Sequence, residues 1–126
     1  MTKHHSALAL VPALIFLVSS APVRADDTGL ASMHDWRVEG GRTCYAEHTH
    51  YGSSAGLASK KLAEVEAIKS WQSFTAFEYG TDWANFARAA SRKVSCKQGS
   101  GGWGCEVEAR PCNVRVVKSA AKGKKK

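Results

Sequence analysis

The four cysteines constrain the fold of this 126-residue chain more than any other feature of its sequence. An even number of cysteines in a small exported domain indicates two disulfide bonds, and four cysteines allow three pairings. A structural zinc site is the alternative, but the chain lacks the paired C-x-x-C spacings that such sites use. We therefore expect disulfides among the four residues Cys44, Cys96, Cys105 and Cys112.

Sequence alternation around the second and third cysteines predicts a β-hairpin. The segment Gly99-Ser100-Gly101-Gly102 is a strong turn signal, and apolar and polar residues alternate on both sides of it. Folding the chain about the centre of this turn aligns three matched pairs: Cys96 with Cys105, Val94 with Val107, and Lys93 with Glu108. One register satisfies all three pairs, so we predict a Cys96–Cys105 bond, which leaves Cys44 to pair with Cys112.

The middle of the chain predicts two helices after a strand over Thr43 to Tyr51. A helix from Leu57 to about Phe77 is indicated by apolar residues that recur every three positions. Gly80 ends this helix and Thr81 begins a second one. The predicted apolar faces are Leu62, Val65, Ile68, Trp71 and Phe74 in the first helix, and Trp83, Phe86, Ala87 and Ala90 in the second. We expect a small single α+β domain of order β-α-α-β-β, with a C-terminal hairpin and two disulfides.

One spacing pattern resembles that of small exported bacterial proteins of unknown function. The pattern comprises Trp71, Tyr79-Gly80 and Trp83, followed by Cys96, Cys105 and Pro111-Cys112. The resemblance covers roughly residues 57–112 and is not specific to one named family. It implies the helix–helix–hairpin unit and carries no activity with it.

Residues 1–25 have the features of a cleaved secretory signal peptide. A short basic start precedes the apolar stretch from Ala7 to Val18, and Val23-Arg24-Ala25 matches a cleavage site. The apolar stretch is too short to cross a hydrocarbon core of about 30 Å as a helix. We predict cleavage before Asp26, export to the periplasm or out of the cell, and a mature chain without a transmembrane segment.

The net charge of +7 lies mainly at the carboxyl end of the chain. Between residues 26 and 117 the sequence holds 11 basic and 11 acidic residues, so we predict a neutral domain over this range. A neutral domain argues against nucleic acid as a specific partner. We expect residues 118–126 to form a disordered tail. Its lysines are candidate polyanion-binding residues: Lys118, Lys122, Lys124, Lys125 and Lys126.

His48-Thr49-His50 is a candidate metal-binding segment. Side chains at positions i and i+2 of a strand share a face, so two imidazoles can hold Cu²⁺ or Zn²⁺ together with a third ligand. The candidates for that third ligand are His34, Asp35 and Glu47. Because two ligands alone make a weak site, a pair of exposed strand histidines is the alternative interpretation.

Two segments fit known functional sequence motifs, but neither indicates a function in this chain. Gly52-Ser53-Ser54-Ala55-Gly56 fits the hydrolase pattern G-x-S-x-G, but that fold needs a histidine after the serine, and His50 is the last one in the chain. We interpret the segment as a flexible turn before the first helix. Residues 99–104 fit G-x-G-x-x-G, but a strand rather than a helix is predicted to follow them. We predict no cofactor and no catalytic residue.

Two functional hypotheses follow from these observations. The first is a non-enzymatic exported protein that binds a protein or an anionic envelope polymer, with the Lys-rich tail as a tether. The alternative is a small metal-binding protein that uses His48 and His50. A small hydrolase finds no specific support in the sequence.

Overall fold

A computed structural model describes residues 30–113, and within them one α-helix and six strands form an α+β fold. In chain order the elements are β1 (Trp36–Glu39), β2 (Arg42–Tyr45), β3 (His50–Leu57), α1 (Lys60–Tyr79), β4 (Ala90–Gly99), β5 (Gly102–Arg110) and β6 (Cys112–Asn113). The strands make two antiparallel sheets, of order β1-β2-β6 and β3-β5-β4. Helix α1 packs on one face of the larger sheet, and the main core lies between them.

The predicted hairpin is confirmed in its register. Strands β4 and β5 pair so that the two cysteines, the two valines and the two opposite charges face each other as expected. A disulfide joins Cys96 to Cys105, and Lys93 Nζ lies 2.5 Å from a carboxylate oxygen of Glu108. The second predicted bond, between Cys44 and Cys112, is also present and joins β2 to β6.

The first predicted helix exists, but it buries a different face. Its observed start at Lys60 follows Ser59, whose side chain accepts a hydrogen bond from the Leu62 amide. The predicted apolar face is wrong at Leu62 and Phe74, which are 51 % and 48 % exposed. The buried face recurs every four residues instead, through Ala63, Ala67, Trp71, Thr75 and Tyr79. Small side chains at two of these positions let the helix lie close to the sheet.

The second predicted helix is wrong. Two short 3-10 turns, Thr81–Trp83 and Phe86–Arg88, take its place. The break falls at Asn85, which has an extended backbone and accepts a hydrogen bond from the Arg88 amide through its side chain. A side chain that caps a new turn competes with a continuous helix. The order β-α-α-β-β is therefore corrected to three strands, one helix and three strands.

The single strand expected over Thr43 to Tyr51 is also wrong. The chain forms β2 and β3 there, and these two strands belong to different sheets. The segment Gly52–Gly56, which we interpreted as a flexible turn, lies inside β3. Gly52 explains the difference, because a Cβ atom at this position would lie 2.3 Å from the Ala67 carbonyl oxygen of α1. The absence of a side chain at Gly52 allows β3 and α1 to lie in close contact.

Other expectations fall on residues outside the described range. These are the signal peptide (1–25), the cleavage site before Asp26, the end of the predicted domain (114–117) and the Lys-rich tail (118–126). They stay predictions. Among residues 30–113, no helix combines the length and the apolar composition needed to cross a membrane.

A buried arginine joins the two sheets. Arg110, at the end of β5, is 8 % exposed and donates hydrogen bonds to the Tyr45 carbonyl oxygen and to Ser91 Oγ. Its guanidinium also binds both carboxylate oxygens of Glu39 on β1, each at 2.8 Å. Such a two-bond ion pair fixes the relative position of two elements better than a single contact does.

This ion pair predicts a loss of stability in acid. The hydrogen bond from Arg110 is the main reason why the pKa of Glu39 falls to about 2, below its ordinary 4.5. A carboxyl with a lowered pKa stabilises the fold above pH 4.5, and that stabilisation disappears as the pH falls towards 2. In urea denaturation, Glu39→Gln should therefore cost on the order of 2 kcal/mol at pH 7 and little at pH 2.

Glu47→Gln is the matched control, because the Glu47 side chain is 93 % exposed. It should leave the unfolding free energy nearly unchanged at both pH values. An equal loss for Glu39→Gln at pH 7 and pH 2 would contradict the assigned role of the ion pair.

Candidate metal centre

Three parts of the chain converge at one end of α1. His50 is the first residue of β3, and His48 lies two residues before it. Glu78 and Tyr79 are the last two residues of α1. His34 lies between a 3-10 turn at Leu30–Met33 and β1, and its ring stacks on that of His48 with centroids 4.2 Å apart.

The orientation of His50 is fixed by a hydrogen bond from its ring. The side chain is 3 % exposed, and its Nδ1 lies 3.0 Å from Thr75 Oγ1. The Thr75 hydroxyl donates its single hydrogen to the Trp71 carbonyl oxygen at 2.8 Å, so it can only accept from His50. Nδ1 therefore carries the ring proton of neutral His50, and Nε2 presents a lone pair.

That lone pair faces two further ligand atoms. His50 Nε2 lies 3.0 Å from Glu78 Oε2 and 3.1 Å from His48 Nε2. All three atoms lie within 4.8 Å of one another. Two lone pairs at 3.0 Å repel each other unless a proton or a metal ion lies between them. The arrangement can therefore hold a cation.

A phenol borders the same cluster. The hydroxyl oxygen of Tyr79 lies 3.0 Å from His48 Nε2 and 3.0 Å from His34 Nε2. A phenol has one hydrogen to donate, so it can donate to one of these nitrogens at a time. Tyr79 is 3 % exposed, and the cluster thus contains a buried hydroxyl directly beside a candidate metal ligand.

Burial sets the charge states in the cluster. It lowers the pKa of His50 to about 4, against an opposing effect of the Glu78 carboxylate. Burial also lowers the pKa of His48, and it raises that of Tyr79 to about 12 with a further contribution from Glu78. Both imidazoles are consequently neutral at pH 7, and neutral imidazole is the form that binds metal ions.

The structure brings together some of the candidate metal ligands that the sequence predicted. His48, His50 and His34 meet, whereas Asp35 and Glu47 are exposed and Glu47 lies near Arg37 instead. The third ligand atom comes from Glu78, which the sequence analysis missed. The sequence carries one signal for Glu78. A carboxylate in the last turn of a helix interacts unfavourably with the helix dipole, so a compensating partner is expected for it.

Neither rejected motif takes part in this centre. Ser54, the serine of the G-x-S-x-G match, donates to the Ala63 carbonyl oxygen and accepts from the Cys105 amide. Its hydroxyl thus joins β3 to α1 and β5. The G-x-G-x-x-G match forms the β4–β5 turn and the start of β5, as expected from the hairpin. The five tail lysines lie outside the described residues.

The donor set of two imidazoles and one carboxylate is one that proteins use for zinc sites. Comparisons of the chain with protein-family models, with curated proteins and with solved structures gave no match. The function must therefore be argued from the geometry of this centre.

Proposed function

We propose that this chain is an exported metal-binding protein that holds one Zn²⁺ or Cu²⁺ ion. The ligands are His48 Nε2, His50 Nε2 and a carboxylate oxygen of Glu78. Export is supported by the signal-like residues 1–25 and by the two disulfides, which persist outside reducing compartments.

The observation that carries this proposal is the 3.0 Å separation between His50 Nε2 and Glu78 Oε2, on a ring whose Nδ1 lies at hydrogen-bond distance from Thr75 Oγ1. The pKa of His50, lowered to about 4, argues against a proton between the two atoms at pH 7. A metal ion resolves the repulsion between them and uses both lone pairs.

The spacing of the ligand atoms supports the same conclusion. A tetrahedral ion with bonds of about 2.0 Å separates neighbouring ligand atoms by about 3.3 Å. The separations of 3.0 and 3.1 Å around His50 Nε2 are close to this value. An ion can therefore enter with small side-chain movements.

The surroundings of His50 also resemble those of a metal ligand. A histidine that binds a metal through one nitrogen donates its other N–H to an oxygen, which fixes the ring orientation. Thr75 provides that oxygen here. The backbone is held as well, because Trp71 Nε1 donates to the His50 carbonyl oxygen at 3.1 Å.

The test is a calorimetric titration of the oxidised protein, purified without a histidine tag, with Zn²⁺ and with Cu²⁺. We expect one equivalent to bind. His50→Ala and Glu78→Gln each remove a ligand and should weaken binding at least 100-fold. Thr75→Val removes the orienting oxygen and should weaken binding about 10- to 100-fold.

Glu66→Gln is the matched control on the same helix. Glu66 is exposed and pairs with Lys69 at 2.7 Å, away from the cluster. Its replacement should leave the affinity unchanged. The proposal fails if the unmodified protein binds neither ion, or if Glu78→Gln and Glu66→Gln bind equally well.

A further inference from the structure

We propose that two copies of this chain associate through the free edge of β3 and the adjoining face of α1. The two β3 strands pair antiparallel in this dimer, so that two three-stranded sheets join into one continuous sheet. The two α1 helices then lie side by side on the same face of the joined sheet. The dimer requires no metal ion, so it is independent of the proposed function.

The edge of β3 is open to another strand. β3 pairs with β5 on one side, and no strand in the described part of the chain pairs with its other side. Proteins commonly protect a free edge with charged side chains, and the opposite edge strand, β4, carries Arg92, Lys93 and Lys97. From Tyr51 to Leu57, β3 carries no charged side chain. The β3 edge therefore lacks this protection, and its backbone groups can accept a further strand.

A groove runs along this edge, between β3 and α1. Its volume is about 630 Å³. The helix side is lined by Glu66, Lys69, Ser70 and Ser73, and the strand side by residues of β3 between Ser53 and Leu57. The helix thus leaves space beside the edge of β3 where a second strand can approach.

Large exposed apolar side chains lie at both ends of the helix face that lines the groove. Leu62 is 51 % exposed and Phe77 is 82 % exposed. Leu62 precedes Glu66 by four residues and Phe77 follows Ser73 by four, a spacing that keeps both on this face. In an antiparallel pair of helices, the Leu62 end of one copy meets the Phe77 end of the other. Association therefore removes apolar surface from water at both ends of the groove.

The contacts between β3 and α1 show which part of the helix lies level with the centre of the strand. Ser54 Oγ donates to the Ala63 carbonyl oxygen, and Gly52 packs against the Ala67 carbonyl group. Ser53, between them, therefore lies level with the central part of α1. A twofold axis at Ser53 pairs the two β3 edges and brings the central parts of the two helices beside each other.

The same axis makes the charges of the groove complementary between copies. Glu66 and Lys69 lie near the level of Ser53 and pair with each other at 2.7 Å within one copy. A twofold axis reverses the helix direction, so Glu66 of each copy comes beside Lys69 of the other. Pairing through the β4 edge would instead bring basic side chains of the two copies together. The charges therefore favour a second copy of this chain at the β3 edge.

Sedimentation velocity of the oxidised protein tests the inference, with a chelator present so that no metal ion can link two copies. We expect a dimer whose population rises with protein concentration. Phe77→Glu places a charge in the apolar contact and should weaken dimerisation at least about 30-fold. The fold should be unchanged by circular dichroism, because Phe77 is 82 % exposed. Val38→Glu is the matched control, since Val38 is 71 % exposed on β1, and it should leave dimerisation unchanged.

Engineered cysteines test the pairing of the strands. Two Ser53→Cys side chains would face each other across the twofold axis, at a Cβ separation that a disulfide can span. Mild oxidation should therefore produce a covalent dimer. Ser95→Cys is the matched control on the opposite edge strand, because Ser53 and Ser95 are both level with Glu106 of β5. This variant should remain largely uncrosslinked.

Three results would overturn the inference. A dimer that Phe77→Glu leaves intact, or crosslinking of Ser95→Cys in preference to Ser53→Cys, would locate the interface on another surface. A chain that stays monomeric at all concentrations would leave the groove open to an extended peptide of another protein. Metal binding is measured by a separate titration, so the proposed function stands or falls independently of these results.

Discussion

Removing the Cys44–Cys112 bond by replacing both cysteines with alanine should lower the free energy of unfolding by about 4.4 kcal/mol. The two cysteines are separated by 68 positions in the chain, so the bond closes a long loop. A closed long loop loses more chain entropy in the unfolded state than a short one does, and this raises the stability of the fold. Small domains typically have 5–15 kcal/mol in total, so the expected loss is roughly a third to most of it.

The hairpin bond provides the comparison within the same molecule. Cys96 and Cys105 are separated by only 9 positions, for which the expected loss is about 2.7 kcal/mol. The burial of the cysteines ranks the two disulfides in the same order as the expected losses of stability. Cys44 and Cys112 are both fully buried, whereas Cys96 is partly exposed.

Urea denaturation of the two double-alanine variants measures both losses. The reduced unmodified protein serves as a reference in which neither bond is present. A larger loss for the Cys96→Ala/Cys105→Ala variant than for the Cys44→Ala/Cys112→Ala variant would contradict the loop-length argument.

The hairpin could be predicted from the sequence because its signals are local and agree with one another. A Gly-rich turn, strict alternation and two cysteines all require the same register around Ser100-Gly101. No distant part of the chain was needed to choose it. Local consistency of this kind is what makes a prediction from sequence robust.

The buried face of α1 could not be predicted by the same means. Hydrophobicity favours large residues such as Leu62 and Phe74, yet both are about half exposed. The sheet beneath the helix accepts alanines instead, because Gly52 brings the two backbones close together. The identity of the buried face thus depends on a residue of a different element.

The candidate metal site likewise has one part that could be predicted from local sequence and one part that depends on packing. His48 and His50 could be predicted as a pair because their spacing is a local property of an extended chain. Glu78 and Tyr79 come to the site only through the packing of α1 on β3. The sequence carries no local mark that connects them to the histidines, apart from an acidic residue at the end of a helix.

Gly52→Ala tests this dependence of the site on close packing. A Cβ atom at position 52 would lie 2.3 Å from the Ala67 carbonyl oxygen and 2.5 Å from the Trp71 amide nitrogen. Both are backbone atoms of α1, so the overlap can be relieved only if the helix moves away from β3. We expect a loss of about 3 kcal/mol in the free energy of unfolding, at the upper end of overpacking effects.

The same movement should weaken metal binding, because α1 carries Glu78 whereas β3 carries His50. Calorimetric titration of Gly52→Ala with Zn²⁺ should therefore show a raised Kd, under conditions where circular dichroism shows the variant to be folded. Gly101→Ala is the control, since a Cβ atom at position 101 has no neighbour within 4 Å, and it should change neither quantity appreciably. An unchanged Kd in a destabilised Gly52→Ala variant would mean that the ligands adjust independently of the helix, and the metal centre would then not depend on how closely α1 and β3 pack.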